Sequence, residues 1–461
     1  MSFKKLMLGT AAGGGSGWIL EYDGSLGSGA NGGGRVLSGD GTDDGNMYCM
    51  FCGSTNSDGA IIIKFDKDGT VSADRRVSSS SYAITSGSME IDTSENLYIS
   101  LRQDIDTGSG SQTRIGLIKL NSSLSEQSEV FYSFGTISAG SFSSLATRGS
   151  NLYIVGSFDT ATGRRPTGIV VSQSTLNVSS SHGFASFGQN RGRVVKHDSS
   201  GNIFVGGNYR GGSSGDRYLF YKFGTTFSSN SLGREYTGTS GYLNDLDIDS
   251  SGNIYTIGFC ELGYPNTRDN LVAKLNSSGT AQWTKSLVLS GDNNTNGFIS
   301  GDSTQTGIAI KNTSEGPVTV HQDNRNVDSS YNDINISLWN DSNGSLVESY
   351  GIACTSHQWQ TSISSSNLGA LITDTHVYHH ARANNKNYIL KLPIKDGSAV
   401  YGNYTLNGVN FTIDDNSASD TDANDNFGST TTGPQTRSIT KTTQTNWSDS
   451  AVSVTPNKLD L

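Results

Sequence analysis

Cysteine is scarce in this chain of 461 residues, and four cysteines are too few for a disulfide-held scaffold. Two of them, Cys49 and Cys52, form a C-x-x-C pair inside a strand-like run, and no second pair lies at zinc-finger spacing. Because residues three apart on an extended strand point to opposite faces, this pair has poor geometry for one metal ion. We therefore expect ordinary buried thiols at both positions.

The chain also has few charged residues and no long apolar run. Charged residues make up 16% of the chain and the formal net charge is −10, so the basic face of a nucleic-acid binder is missing. No stretch of about 18 apolar residues is present, so no membrane span is expected. The opening MSFKKLMLGTAAGGG superficially resembles a signal peptide, but its short apolar run soon gives way to glycine, so none is expected.

Glycine, small polar residues and aromatic residues dominate instead. Glycine occurs 57 times and proline only 6 times, while 19 tyrosines and 17 phenylalanines supply side chains for a packed core. Many short strands joined by Gly-, Asn-, Asp- and Ser-rich turns fit this composition better than helices do. Apolar and polar residues alternate with a period of two, and no convincing helical period is present. These features predict an all-β protein.

A repeat with a period of about 50 residues runs along most of the chain. The repeated motif is a turn, then Asn-apolar-aromatic, and further on apolar-x-Lys-apolar. A period of this length holds four strands with their turns, which is one blade of a β-propeller, so seven copies predict seven blades, with eight as the alternative. The asparagines of the first five copies are Asn46, Asn96, Asn151, Asn202 and Asn253. The two looser copies lie at residues 317–320 with 336–339 and at residues 376–378 with 389–392.

The two ends of the chain carry further expectations about the architecture. Residues 17–24 resemble the third-strand motif but precede the first full copy, so we expect them to close the ring by pairing with a C-terminal strand near residues 409–413. We accordingly divide the chain into an extended N-terminal arm (1–16), the propeller (17–413) and a polar C-terminal segment (414–461). This last segment is either a linker with a few short strands or an arm that packs on a neighbouring molecule.

A histidine-rich strand is the first candidate for a site. His376, Tyr378 and His380 alternate and share one face of the predicted strand, whereas His379 lies on the other face. Extended backbone separates His376 from His380 by about 13 Å, which is too far for both to bind one metal ion. We expect these histidines to face solvent or the channel of the propeller.

Aspartates in turns are the second group of candidates. Asp247, Asp249 and Asn253 resemble part of a calcium loop, as do Asp66 and Asp68, but no loop has the complete ligand set with its terminal glutamate. We therefore expect Asx turns that close hairpins. Weak Ca²⁺ binding is the alternative for an acidic cluster after the repeats, although such a cluster is more often a solvated loop. The members of this cluster are Asp414, Asp415, Asp420, Asp422 and Asp425.

No motif for catalysis stands out. No nucleophile elbow and no phosphate loop stands out, and because the acids occur mostly in turns, no pair of catalytic carboxylates can be selected. Trp283, Trp339 and Trp359 have the chemistry to stack on sugar rings, but such residues are more often part of blade cores. We therefore predict no catalytic, cofactor-binding or metal-binding residues, no cofactor and no enzymatic activity.

Two resemblances bear on the function. The pattern D-x-x-GNIY-x-x-G, followed by KLNSSG-x-x-xW, is similar to bacterial β-propeller repeats of secreted and surface proteins, over roughly residues 35–405. Residues 2–7, running into residues 10–14, resemble the start of virion structural proteins of tailed phages, marine ones especially. The second resemblance implies a virion protein that is assembled in the host cytoplasm without a signal peptide.

Three functions follow as expectations. The leading one is a non-enzymatic virion component, associated with the tail as a nozzle, spike or fibre base. Such a component is expected to form a homo-oligomer and to bind other tail proteins or a host surface glycan through loops on a rigid propeller. The alternatives are a bacterial surface or exported propeller that binds carbohydrate, and a propeller enzyme that degrades polysaccharide. No nucleic-acid partner is expected for any of them.

Overall fold

The computed structural model of the protein is built almost entirely from antiparallel β-strands. It describes residues 3–8, 17–22, 34–38, 42–52, 59–78, 83–106, 111–133, 140–160, 163–183, 191–210, 216–228, 230–236, 241–263, 267–288, 306–323, 333–354, 369–383, 386–406, 409–415, 419–422, 427–429, 435–436, 440–442 and 448–451. Within these ranges no helix has the length and apolar character needed to cross a membrane.

Seven sheets form a ring around a central channel, and each sheet contributes one four-stranded blade. Two strands precede the first blade along the chain, β1 (Phe3–Leu8) and β2 (Gly17–Tyr22). Blades 1 to 3 consist of β3 (Gly34–Ser38), β4 (Met47–Cys52), β5 (Ala60–Phe65) and β6 (Val71–Ser78); β7 (Ala83–Ile91), β8 (Leu97–Asp106), β9 (Ser111–Leu120) and β10 (Glu126–Ser133); and β11 (Gly140–Arg148), β12 (Asn151–Thr160), β13 (Gly163–Ser172) and β14 (Val178–Gly183).

The remaining blades repeat this arrangement. Blades 4 to 6 consist of β15 (Arg191–His197), β16 (Ile203–Arg210), β17 (Asp216–Phe223) and β18 (Asn230–Tyr236); β19 (Gly241–Ile248), β20 (Ile254–Gly263), β21 (Thr267–Leu275) and β22 (Ala281–Val288); and β23 (Thr306–Thr313), β24 (Gly316–Asp323), β25 (Asp333–Trp339) and β26 (Leu346–Cys354). Blade 7 consists of β27 (Leu371–Ile372), β28 (His376–Ala383) and β29 (Lys386–Pro393), with β2 as its fourth strand. The predicted all-β propeller of seven blades is confirmed.

The ring is closed by joining the two ends of the chain in blade 7. There β2 pairs with β29, and Ile19 lies opposite Leu390. Closure by strands from both ends is as expected, but the expected partner near residues 409–413 is wrong, because that segment pairs with blade 6. The apolar run of residues 17–22 is also a fourth strand and not a third one, since β29 supplies the third-strand Lys391 of this blade.

A chain of short strands, which we call the C-terminal belt, runs around the outside of the ring. After β29 the chain passes through a short 3₁₀ helix (Gly397–Val400) and β30 (Gly402–Leu406). The belt then consists of β31 (Val409–Asp415), β32 (Ser419–Asp422), β33 (Phe427–Ser429), β34 (Gln435–Thr436), β35 (Thr440–Thr442) and β36 (Ser448–Ala451). These strands pair in turn with the outer strands of blades 6, 5, 4, 3, 2 and 1, and β1 takes the same place on blade 7. Every blade therefore has a fifth strand.

The core of the protein lies between the blades. Alternate residues of β4 belong to different apolar clusters: Met47 and Phe51 pack against blade 7, whereas Tyr48 and Met50 pack against blade 2. Both faces of such a strand are buried, which explains why it reads as a continuous apolar run and not as a strict alternation. Seven clusters of buried apolar side chains fill the seven interfaces between neighbouring blades.

A hydrogen bond joins each blade to the next, and these bonds have a shared geometry. A side chain of one blade donates to a backbone carbonyl oxygen in, or at the start of, the turn after the third strand of the next blade. Trp283 Nε1, for example, donates to the carbonyl oxygen of Asp341 at 3.0 Å. One such bond at each interface, in ring order, is Trp18 to Lys67, Arg75 to Leu124, Tyr132 to Leu176, Tyr153 to Thr225, Arg234 to Gly279, Trp283 to Asp341 and Tyr350 to Pro393. We call them the inter-blade links.

The lysine of the repeat adds a second bond at several of the same turns. Lys274 Nζ lies 5.3 Å from the ring centre of Tyr255 and donates to the carbonyl oxygen of Asp341 at 3.1 Å. Lys64 and Lys119 make equivalent contacts with the ring of their own blade and the turn of the following blade. The repeat therefore places an aromatic residue and a lysine where both are needed for one interface between blades.

The glycines of these turns let the linking side chains lie flat against the backbone. Gly344 has φ +69°, and a β-carbon there would lie 2.6 Å from the Trp283 ring. We expect Gly344→Ala to lower the free energy of unfolding by about 2–4 kcal/mol, from left-handed strain plus a clash in a packed interface.

The matched control is Gly149→Ala, at a position with φ +56° where a β-carbon would have no neighbour within 4 Å. Because only the backbone strain applies there, the cost should be about 1–2 kcal/mol. Chemical denaturation of both variants measures the difference, and equal losses would show that the tryptophan contact contributes nothing.

Candidate functional site in the central channel

The first strands of the blades surround the channel, and their pairing with the second strands defines one level of its wall. In each blade, the first-strand residue at this level pairs with the second-strand residue at the aromatic position of the repeat. Blade 6 has Val318 and not an aromatic residue at that position. In blade order the first-strand residues are Leu37, Glu90, Ala146, Lys196, Asp247, Lys311 and Leu371. The wall is therefore apolar at blades 7, 1 and 3 and charged at blades 2, 4, 5 and 6.

A cavity of about 210 Å³ lies in this channel. Its apolar lining comes from β3 and from the segment around β27, and includes Leu37 and Leu371. Its charged lining comes from blades 4, 5 and 6. The cavity thus has an apolar wall facing a charged wall.

Two aspartates of β19 are held by the neighbouring blade. Asp245 Oδ2 accepts a hydrogen bond from the backbone N–H of Ile310 at 3.0 Å, and Asp247 Oδ2 accepts one from Asn312 at 2.9 Å. Burial raises the pKa of Asp247, while the nearby charge of Lys196 and the bond from Asn312 oppose that shift. These contacts fix the direction of both carboxyl groups in the channel.

The histidine-rich strand lies elsewhere, and the expectation that it faces solvent or the channel is wrong. It is β28, the second strand of blade 7, and its histidines are buried between blades. His376 Nδ1 lies 2.8 Å from Asp43 Oδ2, and His380 packs edge-on against Phe51. Burial acts to raise the pKa of Asp43, but the bond with His376 and those from nearby threonines hold it below the usual value. The structural reason is that only the first strand of a blade borders the channel.

The candidate calcium loops are Asx turns, as expected. Asp249 Oδ1 accepts hydrogen bonds from the backbone N–H groups of Ser251 and Asn253 at 2.9 and 2.8 Å. Its second oxygen accepts from the Asn253 side-chain amide at 2.7 Å. Asp66 likewise accepts from the N–H groups of Asp68 and Thr70. Asp247 does not belong to the turn but lines the channel.

The acidic cluster after the repeats is spread along the belt. Asp414 and Asp415 are exposed at the end of β31, opposite blade 6. Asp420 and Asp422 lie on β32, opposite blade 5, and Asp425 lies outside the described residues. No group of three or more His, Cys, Asp or Glu side chains with the geometry for a metal ion occurs within the described part of the chain.

The remaining candidates are core residues. Trp283 and Trp339 are buried between blades 5 and 6, as expected, and Trp359 lies outside the described residues. Cys49 and Cys52 are buried free thiols on opposite faces of β4, which confirms the geometric expectation. Burial raises the pKa of Cys52 to about 12, so thiolate chemistry is suppressed there.

The channel charges were missed at the level of sequence. Lys196 and Lys311 were not selected, and Asp247 was considered only as part of a turn. A usable signal was present, because Lys196 and Asp247 stand two residues before the turn aspartates Asp198 and Asp249. In a propeller this position belongs to the strand that borders the channel, so comparing it across the copies would have found the charged wall.

Comparisons with known proteins leave the family open. No protein-family model matches the chain, and no curated protein matches it. Among solved structures, an exo-beta-1,3-galactanase from Clostridium thermocellum is similar at 10% sequence identity, with a TM-score of 0.29. The match covers 89% of this chain and 95% of that one.

A buried histidine makes the stability of the propeller dependent on pH. His379 is 2% exposed, and neither ring nitrogen has a hydrogen-bond partner among the described residues. Burial, with a smaller contribution from His380, lowers the pKa of His379 from 6.5 to about 3. The unfolded chain therefore binds a proton that the folded chain excludes, and stability is lost as the pH falls from about 6.5 to about 3.

We expect His379→Leu to reduce the slope of unfolding free energy against pH in this window, by up to about 1.4 kcal/mol per pH unit. The matched control is Val377→Ala, at a buried position on the same face of β28, which should lower stability by a similar amount at every pH. Denaturant unfolding between pH 7 and pH 4 measures both slopes. An unchanged slope for His379→Leu would mean that His379 is protonated in the folded protein.

Proposed function

We propose that the protein is a non-enzymatic scaffold, a structural component of a virion associated with the tail of a phage. The observation that carries this proposal is the belt, together with β1. These strands give all seven blades a fifth strand that comes from the same chain. Both terminal segments are thus used to reinforce one ring.

A belt of this kind suits a part that bears load. A propeller held only by contacts between neighbouring blades opens where any one interface separates. A strand segment that passes from blade 6 to blade 1, and pairs with each blade on the way, couples the outer edges of six blades. Pulling two blades apart then also requires breaking backbone pairing with the belt.

The belt also suits assembly at high local concentration. The outer strand of a blade presents unpaired backbone groups, and such an edge is a template for pairing with another chain. At blades 1 to 5 the outermost strand is a belt strand of only two to four residues, and so short an edge offers little backbone for pairing with another chain. Many copies could therefore stand side by side without adding strands to one another, which leaves the loops free to bind other tail proteins or a host surface.

The test is to locate the protein in its native source. Particles are separated by gradient sedimentation, detached tails are separated from capsids, and peptides of this chain are quantified in each fraction by mass spectrometry. We expect the peptides to follow the tail fraction in constant ratio to other tail proteins, also after a high-salt wash. A host protein of similar size serves as the control for adhesion.

Recovery only as soluble or envelope-bound protein would overturn the proposal and favour the alternative of a carbohydrate-binding propeller. Release of reducing ends from a polysaccharide by the purified protein would instead support the enzyme alternative.

A further inference from the structure

The channel cavity has the features of a site for a small molecule. Its volume of about 210 Å³ is below the ~300–1,000 Å³ of pockets for drug-sized ligands, which limits the occupant to a compact molecule. An apolar wall with a few fixed polar groups opposite it is the usual make-up of such sites. The charged wall decides which chemistry the site would take.

Lys196 is the charged residue of this wall whose side chain has no direct partner in the described part of the protein. The Lys196 side chain is only partly buried, and its ammonium group has no hydrogen bond and no ion pair with any other residue that the structure describes. Its charge is near enough to act on the Asp247 carboxyl group, but no ion pair joins the two. Lys196 therefore lines the cavity, and its ammonium group offers three donors that no described residue accepts.

Asp247 offers the opposite charge at the same level of the wall. Its Oδ2 is fixed by the backbone N–H of Asn312, so the carboxyl group is oriented before any ligand binds. Lys311 and Asp245 add one further charge of each sign. The cavity lining thus has two basic and two acidic residues, so a ligand with a net charge gains less than one that carries both signs.

The apolar wall determines what else the ligand must carry besides its two charged groups. Leu37 and Leu371 lie at this level on blades 1 and 7, opposite the charged blades. A ligand that filled the cavity with polar groups alone would leave them facing this apolar surface without partners. The occupant should therefore carry a compact apolar group next to its two charges.

We propose that the channel binds a small zwitterion with the chemistry of a free apolar amino acid. Its carboxylate pairs with Lys196, its ammonium group pairs with Asp247, and its side chain packs against Leu37 and Leu371. This inference does not depend on the virion assignment, because it uses only the channel.

The probe is leucine, titrated into the full-length protein by calorimetry and by thermal shift. Three analogues each lack one element: leucinamide has no carboxylate, 4-methylpentanoate has no ammonium group, and glycine has no apolar side chain. We expect leucine to bind at least about tenfold more tightly than any of them, since each lost contact leaves a charged or apolar surface without its partner.

Variants test the assigned residues. Lys196→Met keeps the length of the side chain and should weaken the binding of leucine and of 4-methylpentanoate, which both carry the carboxylate, about tenfold or more, with little effect on leucinamide, which lacks it. Lys395→Met, at an exposed position outside the channel, is the matched control and should bind leucine like the wild type. Circular dichroism checks that each variant is folded.

Failure of leucine to bind at millimolar concentration, equal binding of leucine and its analogues, or unchanged binding by Lys196→Met would each overturn the inference. The location of the protein in the native source is a separate measurement, so failure here says nothing against the scaffold.

Discussion

The hydrogen bond from one blade to the turn of the next is the constraint on which the ring depends. A propeller has no core of its own inside a blade, since each sheet buries its two faces against its neighbours. Apolar burial supplies most of the free energy, at about 1.5–3 kcal/mol for a large side chain. A single neutral link adds only about 1 kcal/mol. Burial is not directional, however, so the links decide the register of one blade against the next.

The links also explain the form of the repeat. The turn after the third strand must present a carbonyl oxygen to the preceding blade and must leave room for an indole or guanidinium group. A glycine with positive φ, such as Gly279 or Gly344, meets both needs, because a β-carbon there would collide with Arg234 or Trp283. Trp18 closes the series by bonding to Lys67 of blade 1. Each copy of the repeat is therefore half of two interfaces, which is why one copy alone cannot form a stable unit.

Much of the fold could be predicted from the sequence. The period of the asparagines and the paired aromatic and lysine positions indicated seven blades, because each copy meets the same packing problem. The belt could not be foreseen in the same way. Its strands pair through backbone groups over as few as two residues, as at Gln435–Thr436, so the side chains carry almost no pattern. The partner predicted for residues 17–24 was wrong for a related reason: many apolar strands could add to an outer edge, and the hydrophobic pattern does not choose among them.

Less of the candidate site than of the fold could be predicted from the sequence. The aspartates of the turns were interpreted well, since an Asx turn is a local structure that neighbouring residues determine. The histidines of β28 were misplaced because alternation shows which residues share a face but not which strand borders the channel. The charged wall arises only when blades 4, 5 and 6 are brought together. Lys196 and Lys311 lie in different copies of the repeat, and only the closed ring brings them to one cavity.

The most direct test of the central claim is hydrogen exchange of Trp18→Phe, followed by mass spectrometry. Trp339→Phe is the matched control, because the Trp339 indole is equally buried but donates within its own blade, to Thr319. If the links hold blade against blade, Trp18→Phe will speed exchange in residues 59–78 of blade 1 and 386–393 of blade 7, whereas Trp339→Phe, which keeps every inter-blade link, will leave exchange in blades 1 and 7 unchanged. Lys391, which also donates to Lys67, should keep the first effect local. Protection unchanged in both blades, or lost equally around the whole ring, would contradict the account.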